Sequence, residues 1–317
     1  MSHTSQPTLS VIVPVYNERQ GIETFHQSLL GEIVKLGVSY EILYSDDGSS
    51  DGTNKILHDI ARDDHVRVLA LSRNFGKEIA LTAGIHAARG DVLLMIDGDG
   101  QHPVELIPSF LERWRAGSKV IVGVRTQNSK EGLVKRWGSK LFYKLMRRMT
   151  GLTIVPGASD YRMIDRDVQR TFLKMTERNR ITRGIVDWLG YEQDYIYFKA
   201  NAREFGEAQY SLRKLIRLAI DSFISHSVSP LYGMAYVGVA VLMGSVLLGL
   251  GMGINLVFHD PLGLRATGTA YGLVAVLFLV GILLVSQGIT GLYLSHIHAE
   301  TQNRPLYIVN EEASVRP

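Results

Sequence analysis

The chain has 317 residues, enough for about two domains at the usual ~150 residues each. Its net charge of +3 at neutral pH is too small to argue for a nucleic-acid partner, and no interleaving of aromatic and basic residues suggests a single-strand channel. It has no cysteine, which excludes disulfides, thiolate nucleophiles and cysteine-ligated zinc.

The opening MSHTSQPTLS lacks a basic region followed by an apolar stretch, so no signal peptide is expected. Apolar β-type runs follow at LSVIVPV (9–15), EILYS (41–45), VRVLAL (66–71), DVLLMI (91–96) and KVIVGV (119–124). Helical patterns separate them at 20–36, 52–63, 76–88 and 103–116. Continuous apolar strands alternating with amphipathic helices predict an α/β, Rossmann-like, doubly wound and mostly parallel sheet. Such sheets bind ligands beyond the carboxyl ends of their strands. Polar clusters stand at those ends: Tyr16-Asn17-Glu18, Asp46-Asp47-Gly48-Ser49, Arg73-Asn74, Asp97-Gly98-Asp99, and Arg125.

The usual nucleotide fingerprints are missing. No strand leads into G-x-G-x-x-G, and FGKE (75–78) lacks the upstream glycine and the hydroxyl residue of a P-loop. DGDGQHPVELIP (97–108) fails as an EF-hand, with His102 at its sixth position and Pro108 at its twelfth. Two readings of Asp97-Gly98-Asp99-Gly100 remain. One is a solvated turn, since Asp-Gly is a common turn dipeptide. The other is a carboxylate pair for a hard divalent cation, which takes oxygen ligands and commonly bridges protein carboxylates to phosphate. Asp97, Asp99 and Gln101 would share one side if strand geometry persisted through them.

Further on, SLRKLIRLAIDSFISH (211–226) sets apolar residues at helical spacing beside Arg213, Lys214 and Arg217. This predicts an interfacial helix on a membrane surface, with packing on the front domain as the alternative. Residues 230–258 and 266–295 contain no Asp, Glu, Lys or Arg. Each exceeds the ~20 residues needed to cross a bilayer as a helix. Glycines along both, such as Gly249 and Gly288, would permit close packing. Basic residues before the first segment and Arg304 after the second put the front domain and the tail on the cytoplasmic side. His296 and His298, at the end of the second segment, read as headgroup contacts.

Taken together, VPVYNE (13–18), SDDGSSDGT (45–53), LSRNFGKEIALTAGIHAARGD (71–91), DGDGQHP (97–103) and GVR (123–125) resemble the GT-A glycosyltransferases of family 2. LVKRWGSKLFYKLM, SDYRMIDRD, ERNRITRGIVDWLGY and REFGEAQYSLRKLIRLAID, then two spans and RPLYIV, resemble the polyprenyl-phosphate glycosyltransferases within it. The resemblance covers nearly the whole chain. It implies a cytosolic GT-A domain (1–210), a juxtamembrane amphipathic helix (211–228), a two-helix transmembrane hairpin (229–298) and a cytosolic tail (299–317). It also implies inverting transfer of a sugar from a UDP- or GDP-linked donor to a polyprenyl phosphate, in an integral protein of the inner or plasma membrane. A homo-oligomer is compatible with this arrangement.

The implied roles fall on particular residues. Pro14, Tyr16, Glu18 and Asp47 line the nucleobase and ribose pocket, with Asp46 beside them. Asp97, Asp99 and Gln101 hold Mg²⁺ or Mn²⁺ on the donor diphosphate. Arg125, Lys135 and Ser139 meet the acceptor phosphate, and Arg136 and Arg162 are further positioning cations. Asp160, in Asp160-Tyr161-Arg162, is a base or orients an arginine. Asn74 and Lys77 stand on the donor side. His102 reads as a helix-entry residue close to the metal. The glycines at 98 and 100 depart from the D-A-D-L-Q more often seen and suggest an altered sugar pocket. Lys135 stands where arginine is frequent, and GEAQY (206–210) where GESKY is. The competing classes are a processive polysaccharide synthase and a non-catalytic nucleotide-binding membrane component. The first needs a Q/R-x-x-R-W motif that FLERW (110–114) and LVKRW (133–137) do not complete.

Overall fold

A computed structural model describes residues 7–126, 155, 157–178, 180–199 and 268–316. Lys135, Arg136, Ser139, the interfacial helix and the first apolar segment lie outside the described residues. The chain divides into two compact units, one of Met1–Gln209 with Arg304–Pro317 and one of Tyr210–Asn303.

The first unit is built on a seven-stranded sheet of order β3-β2-β1-β4-β6-β5-β7. Its strands are β1 (Leu9–Val15), β2 (Tyr40–Asp46), β3 (Val66–Ala70), β4 (Val92–Met95), β5 (Val120–Arg125), β6 (Ala158–Asp165) and β7 (Gln193–Phe198). The five expected strands are all present, and β1 pairs in parallel with both β2 and β4. Two strands went unrecognised in the sequence. β6 is antiparallel to both neighbours, β4 and β5, and β7 runs parallel to β5 at the far edge. Only β6 is reversed, so the sheet is mixed with one antiparallel strand.

Helices cover both faces because the strands alternate their apolar side chains between two cores. From β1, Leu9, Val11, Val13 and Val15 point to the core shared with Phe25, Leu29 and Ile33 of α1 (Ile22–Lys35). Ile12 points the other way, toward Leu81 and Ile85 of α3 (Lys77–Ala87). Helix α3 lies so close to the sheet that a β-carbon on Gly84 would sit 2.4 Å from Cγ2 of Ile12. Among the described residues of this unit the other α-helices are α2 (Thr53–Ile60), α4 (Ile107–Arg115), α5 (Arg166–Phe172) and α6 (Thr182–Trp188).

The tail belongs to this unit. Val315 bridges Val68 and Val309 bridges Leu71, both antiparallel, so the tail lies along the edge that β3 would otherwise expose. Tyr307 and Val309 pack on the small core around Leu43, Leu69 and Leu71. Arg67, buried in an ion pair with Glu41 (2.7 Å), also donates to the carbonyl of Arg316 at 2.8 Å.

In the second unit, α7 (Gly268–Thr301) is one helix of 34 residues. Among the described residues no helix is long and apolar enough to cross a membrane.

Candidate active site

The carboxyl ends of β1, β2, β4 and β5 gather the polar side chains. Beyond β1, Tyr16 is exposed and Asn17 takes a left-handed conformation (φ 55°), which asparagine tolerates. Asn17 closes that turn with its side chain, accepting from the Ser50 amide at 2.9 Å. The Glu18 amide donates to Thr53 Oγ1 at 3.0 Å. These bonds tie the β1 end to the β2 end, with Pro14 at the register position beside Ser45.

At the β2 end the two aspartates do different work. Asp46 accepts from the amide and hydroxyl of Ser49 and from Asn54 Nδ2. Asp47 is buried, and its two oxygens accept from the Phe75 and Gly76 amides at 2.7 and 2.8 Å. Burial raises its pKa above the usual carboxylate value even though both amides favour the anion. Asp47 therefore shapes the loop 73–76 in which Asn74 is exposed and Gly76 has φ 102°. That loop delivers the first residue of α3, Lys77.

Lys77 is the hub of the site. Its Nζ lies 2.7 and 2.8 Å from the two oxygens of Asp97 and 3.1 Å from Oδ2 of Asp160. Burial works against its charge, but the two carboxylates outweigh it and hold its pKa above the ordinary lysine value. Asp160 is held as an anion in return: burial pushes its pKa up, and Lys77 followed by Arg183 brings it below the usual range. Glu78, next on α3, accepts from the Thr182 amide at 2.8 Å; burial, reinforced by Asp160, raises its pKa.

The segment after β4 is a turn, with β4 stopping at Met95. Strand alternation does not bring Asp97, Asp99 and Gln101 to one side, contrary to the expectation from spacing. The turn does the placing instead: Asp99 Oδ1 accepts from the Gln101 amide at 3.1 Å, and Gln101 Oε1 accepts from Arg125 NH2 at 2.7 Å. His102 is buried, stacks on Tyr161 and accepts from the Asp97 amide at Nδ1 (3.3 Å). Burial lowers its pKa, so it is a neutral brace at the entry to the next helix. Gly100 has a backbone reason, whereas a β-carbon on Gly98 would meet only side chains at contact distance. Gly100 has φ 71°, and a β-carbon on Gly98 would face Val13, Val15 and Ile22 of the core. Both glycines also line a cavity of about 160 Å³ that opens beside this turn, with Glu18, Thr24, Ser28, Asp99, His102 and Glu105 among its other lining residues. It is smaller than the ~300 Å³ at which ligand pockets usually begin.

In Asp160-Tyr161-Arg162, strand alternation sends residues 160 and 162 to the opposite face from 161. Tyr161 donates to the Pro103 carbonyl. Asp160 accepts a hydrogen bond from Lys77, with Arg183 and Arg162 as further nearby positive charges. Arg162 is 2% exposed, with NH1 on Asp187 at 2.8 Å and Nε on the Ser159 carbonyl at 3.1 Å. Buried and committed to Asp187, it stands apart from Arg125 as a candidate for meeting substrate.

The donor set suits a hard cation. Asp97, Asp99 and Gln101 offer only oxygens. Among the described residues no group of three His, Cys, Asp or Glu could hold a metal by itself. The residues present thus fit an ion that completes its shell with diphosphate oxygens and water, and do not form a closed protein cage.

The largely parallel sheet thus carries carboxylates, an amide and cations along its carboxyl edge, and no glycine-rich phosphate loop of the G-x-G-x-x-G kind occurs in the sequence. The solved mannosyl-3-phosphoglycerate synthase from Rubrobacter xylanophilus shares this fold at TM-score 0.50 and 18% identity, over 68% of this chain and 71% of that one. Residues 10–172 match the family model "Glycosyl transferase family 2". The chain belongs to that family. An uncharacterized glycosyltransferase of Synechocystis sp. is 37% identical over 96% of this chain and 95% of its own length. The SfII prophage-derived bactoprenol glucosyl transferase of Shigella flexneri is 35% identical over 98% and 99%.

Proposed function

We propose that the protein transfers a sugar from a UDP- or GDP-linked donor to a polyprenyl phosphate at the cytoplasmic face of a membrane, with inversion at the anomeric carbon. The observation that carries this reading is the set of polar side chains at one edge of the sheet, from Asp46 and Asp47 after β2 through Asp97, Asp99 and Gln101 after β4 to Arg125 at the end of β5, with β1 and the antiparallel β6 between them. Full-length likeness to a bactoprenol glucosyl transferase supports the acceptor class.

Pro14, Tyr16 and Glu18 flank the base and ribose, and Asp46 and Asp47 set the shape of the adjoining loops. Asp97, Asp99 and Gln101 would hold Mg²⁺ or Mn²⁺, which when bound neutralises charge on the leaving diphosphate. A lipid phosphate is already an anion at neutral pH, so it needs positioning rather than a general base. Arg125 is exposed at the end of β5 and is the described cation suited to that task. Lys135, Arg136 and Ser139 are proposed to join it on the strength of the family resemblance. Asp160 acts through Lys77 as a positioning residue. Arg162, held on Asp187, supports β6 from within.

The membrane half of the reading rests on sequence. From 268 to 299 helix α7 has no Asp, Glu, Lys or Arg. At 1.5 Å per residue its 34 residues span about 51 Å, against a hydrocarbon core of about 30 Å. We place it as the second of two spans, the first lying within 230–258.

The test is incubation of the purified protein with bacterial polyprenyl phosphate and a panel of nucleotide sugars, with and without Mn²⁺. A lipid-linked sugar from at least one donor, lost on chelation, is expected. No lipid product from any donor overturns the proposal.

A further inference from the structure

The cation reading of the site leaves one fact unexplained. Both oxygens of Asp97 already face a cation, the ammonium of Lys77, at 2.7 and 2.8 Å. The placement is built into the fold. Asp47 fixes the Phe75 and Gly76 amides, Gly76 turns the chain at φ 102°, and Lys77 emerges at the first residue of α3. Asp160 holds the same ammonium from the β6 side at 3.1 Å. An ammonium placed on both oxygens of Asp97 competes with a divalent ion for the same carboxylate, and at such separations the two cations repel.

We propose that Lys77 is a resident counter-cation that keeps Asp97 closed to a divalent ion until a donor diphosphate arrives. This rests on the reading of Asp97 and Asp99 as cation ligands. Lysine carries its charge on a flexible four-carbon stem, so the ammonium can turn from Asp97 to a phosphate oxygen without moving α3. The diphosphate supplies the negative charge that Lys77 gives up and the further oxygens the ion needs. The free protein thus discriminates against the bare ion and accepts the ion together with the diphosphate. Lys77 is a positioning residue here, acting on the donor site through Asp97.

The test measures Mn²⁺ binding by electron paramagnetic resonance, on the full chain in detergent, with no nucleotide present. Lys77→Met and Lys77→Gln both remove the charge, and Lys77→Arg keeps it. Both neutral variants are expected to bind Mn²⁺ at least about tenfold more tightly than wild type, with the arginine variant close to wild type. In saturating UDP or GDP, whichever the protein binds, wild type is expected to bind Mn²⁺ as well, narrowing the gap. Equal or weaker Mn²⁺ binding by the neutral variants, in samples whose unfolding midpoints match wild type, overturns the role of Lys77 alone. Because Lys77 is partly exposed and two neutral side chains are tried, one folded variant suffices. Absence of Mn²⁺ binding from every protein, with and without nucleotide, overturns the divalent-ion reading itself and Lys77 with it.

Discussion

Among single residues, Asp99 and His26 make the sharpest separate predictions. Asp99 accepts from the Gln101 amide at the turn after β4, and Gln101 in turn accepts from Arg125. Asp99→Asn keeps the shape and removes the charge, so metal-dependent transfer is expected to fall by about a hundredfold or more, while unfolding is unchanged. Full turnover in that variant would remove Asp99 from the cation site. His26 belongs to the core. It is 8% exposed, and its Nδ1 lies 2.9 Å from the hydroxyl of buried Tyr44. Burial lowers its pKa, and Asp63 only partly opposes that. The folded state therefore resists a proton that the unfolded chain accepts near pH 6.5. Stability is full above that pH and declines as pH falls below it toward the depressed folded value. His86 and His102 are shifted the same way by burial and add to the slope. Denaturant melts of wild type and His26→Gln between pH 7.5 and 5 test this: the variant is expected to lose less stability over the range.

Among elements, α3 and the tail matter most, because each connects the sheet to the site. Helix α3 carries Lys77 at its start and reaches the sheet at Gly84, where any β-carbon meets the stiff branched side chain of Ile12. Gly84→Ala is expected to cost about 1–3 kcal/mol by overpacking, read as a lower urea midpoint. The tail covers β3 through Val309 and Val315, and the Ala313 carbonyl accepts from Asn54 at 3.1 Å and pairs with His58 at 2.8 Å. Asn54 also donates to Asp46, so the tail reaches the β2 end of the site through one side chain. Removing 304–317 is expected to destabilise the catalytic unit by at least about 2 kcal/mol, from lost apolar burial, and to promote aggregation along the opened edge. An unchanged melting midpoint would refute that. The elements found by their residues were those with a strong period. LSVIVPV and VRVLAL are continuous apolar runs, and they could hardly be anything but buried strands. β6 escaped because ASDYRMID mixes charge into a central strand, and its Asp160 and Arg162 are tolerable there only because Lys77 and Asp187 answer them. The tail escaped because a segment joined to the sheet by isolated bridges leaves no periodic mark. The site was legible as a set of polar strand ends. Its wiring was not, since Lys77 and Asp97 are 20 residues apart and meet only through the crossover between β3 and β4.

For the whole molecule, chain order itself makes an argument. The catalytic unit takes the first 209 residues and the last 14, so the segment 210–303 is inserted between two parts of one domain. Both ends of that segment must therefore return to the same side of whatever it enters, which is the topology an even number of spans provides. With residues 230–258 and 266–295 free of Asp, Glu, Lys and Arg, a hairpin of two helices meets the condition. On the proposed function, an enzyme held this way would meet a lipid acceptor by diffusion within the bilayer. Its rate should follow the surface fraction of polyprenyl phosphate, not its amount per volume of solution. Reconstitution into vesicles tests this directly. At fixed total acceptor, enzyme and nucleotide sugar, doubling the carrier lipid halves the acceptor's surface fraction. With acceptor below saturation, the initial rate is expected to fall by about half. A rate that ignores carrier lipid would mean that acceptor is captured from solution, and the anchored reading of 210–303 would fail while the transfer chemistry stood.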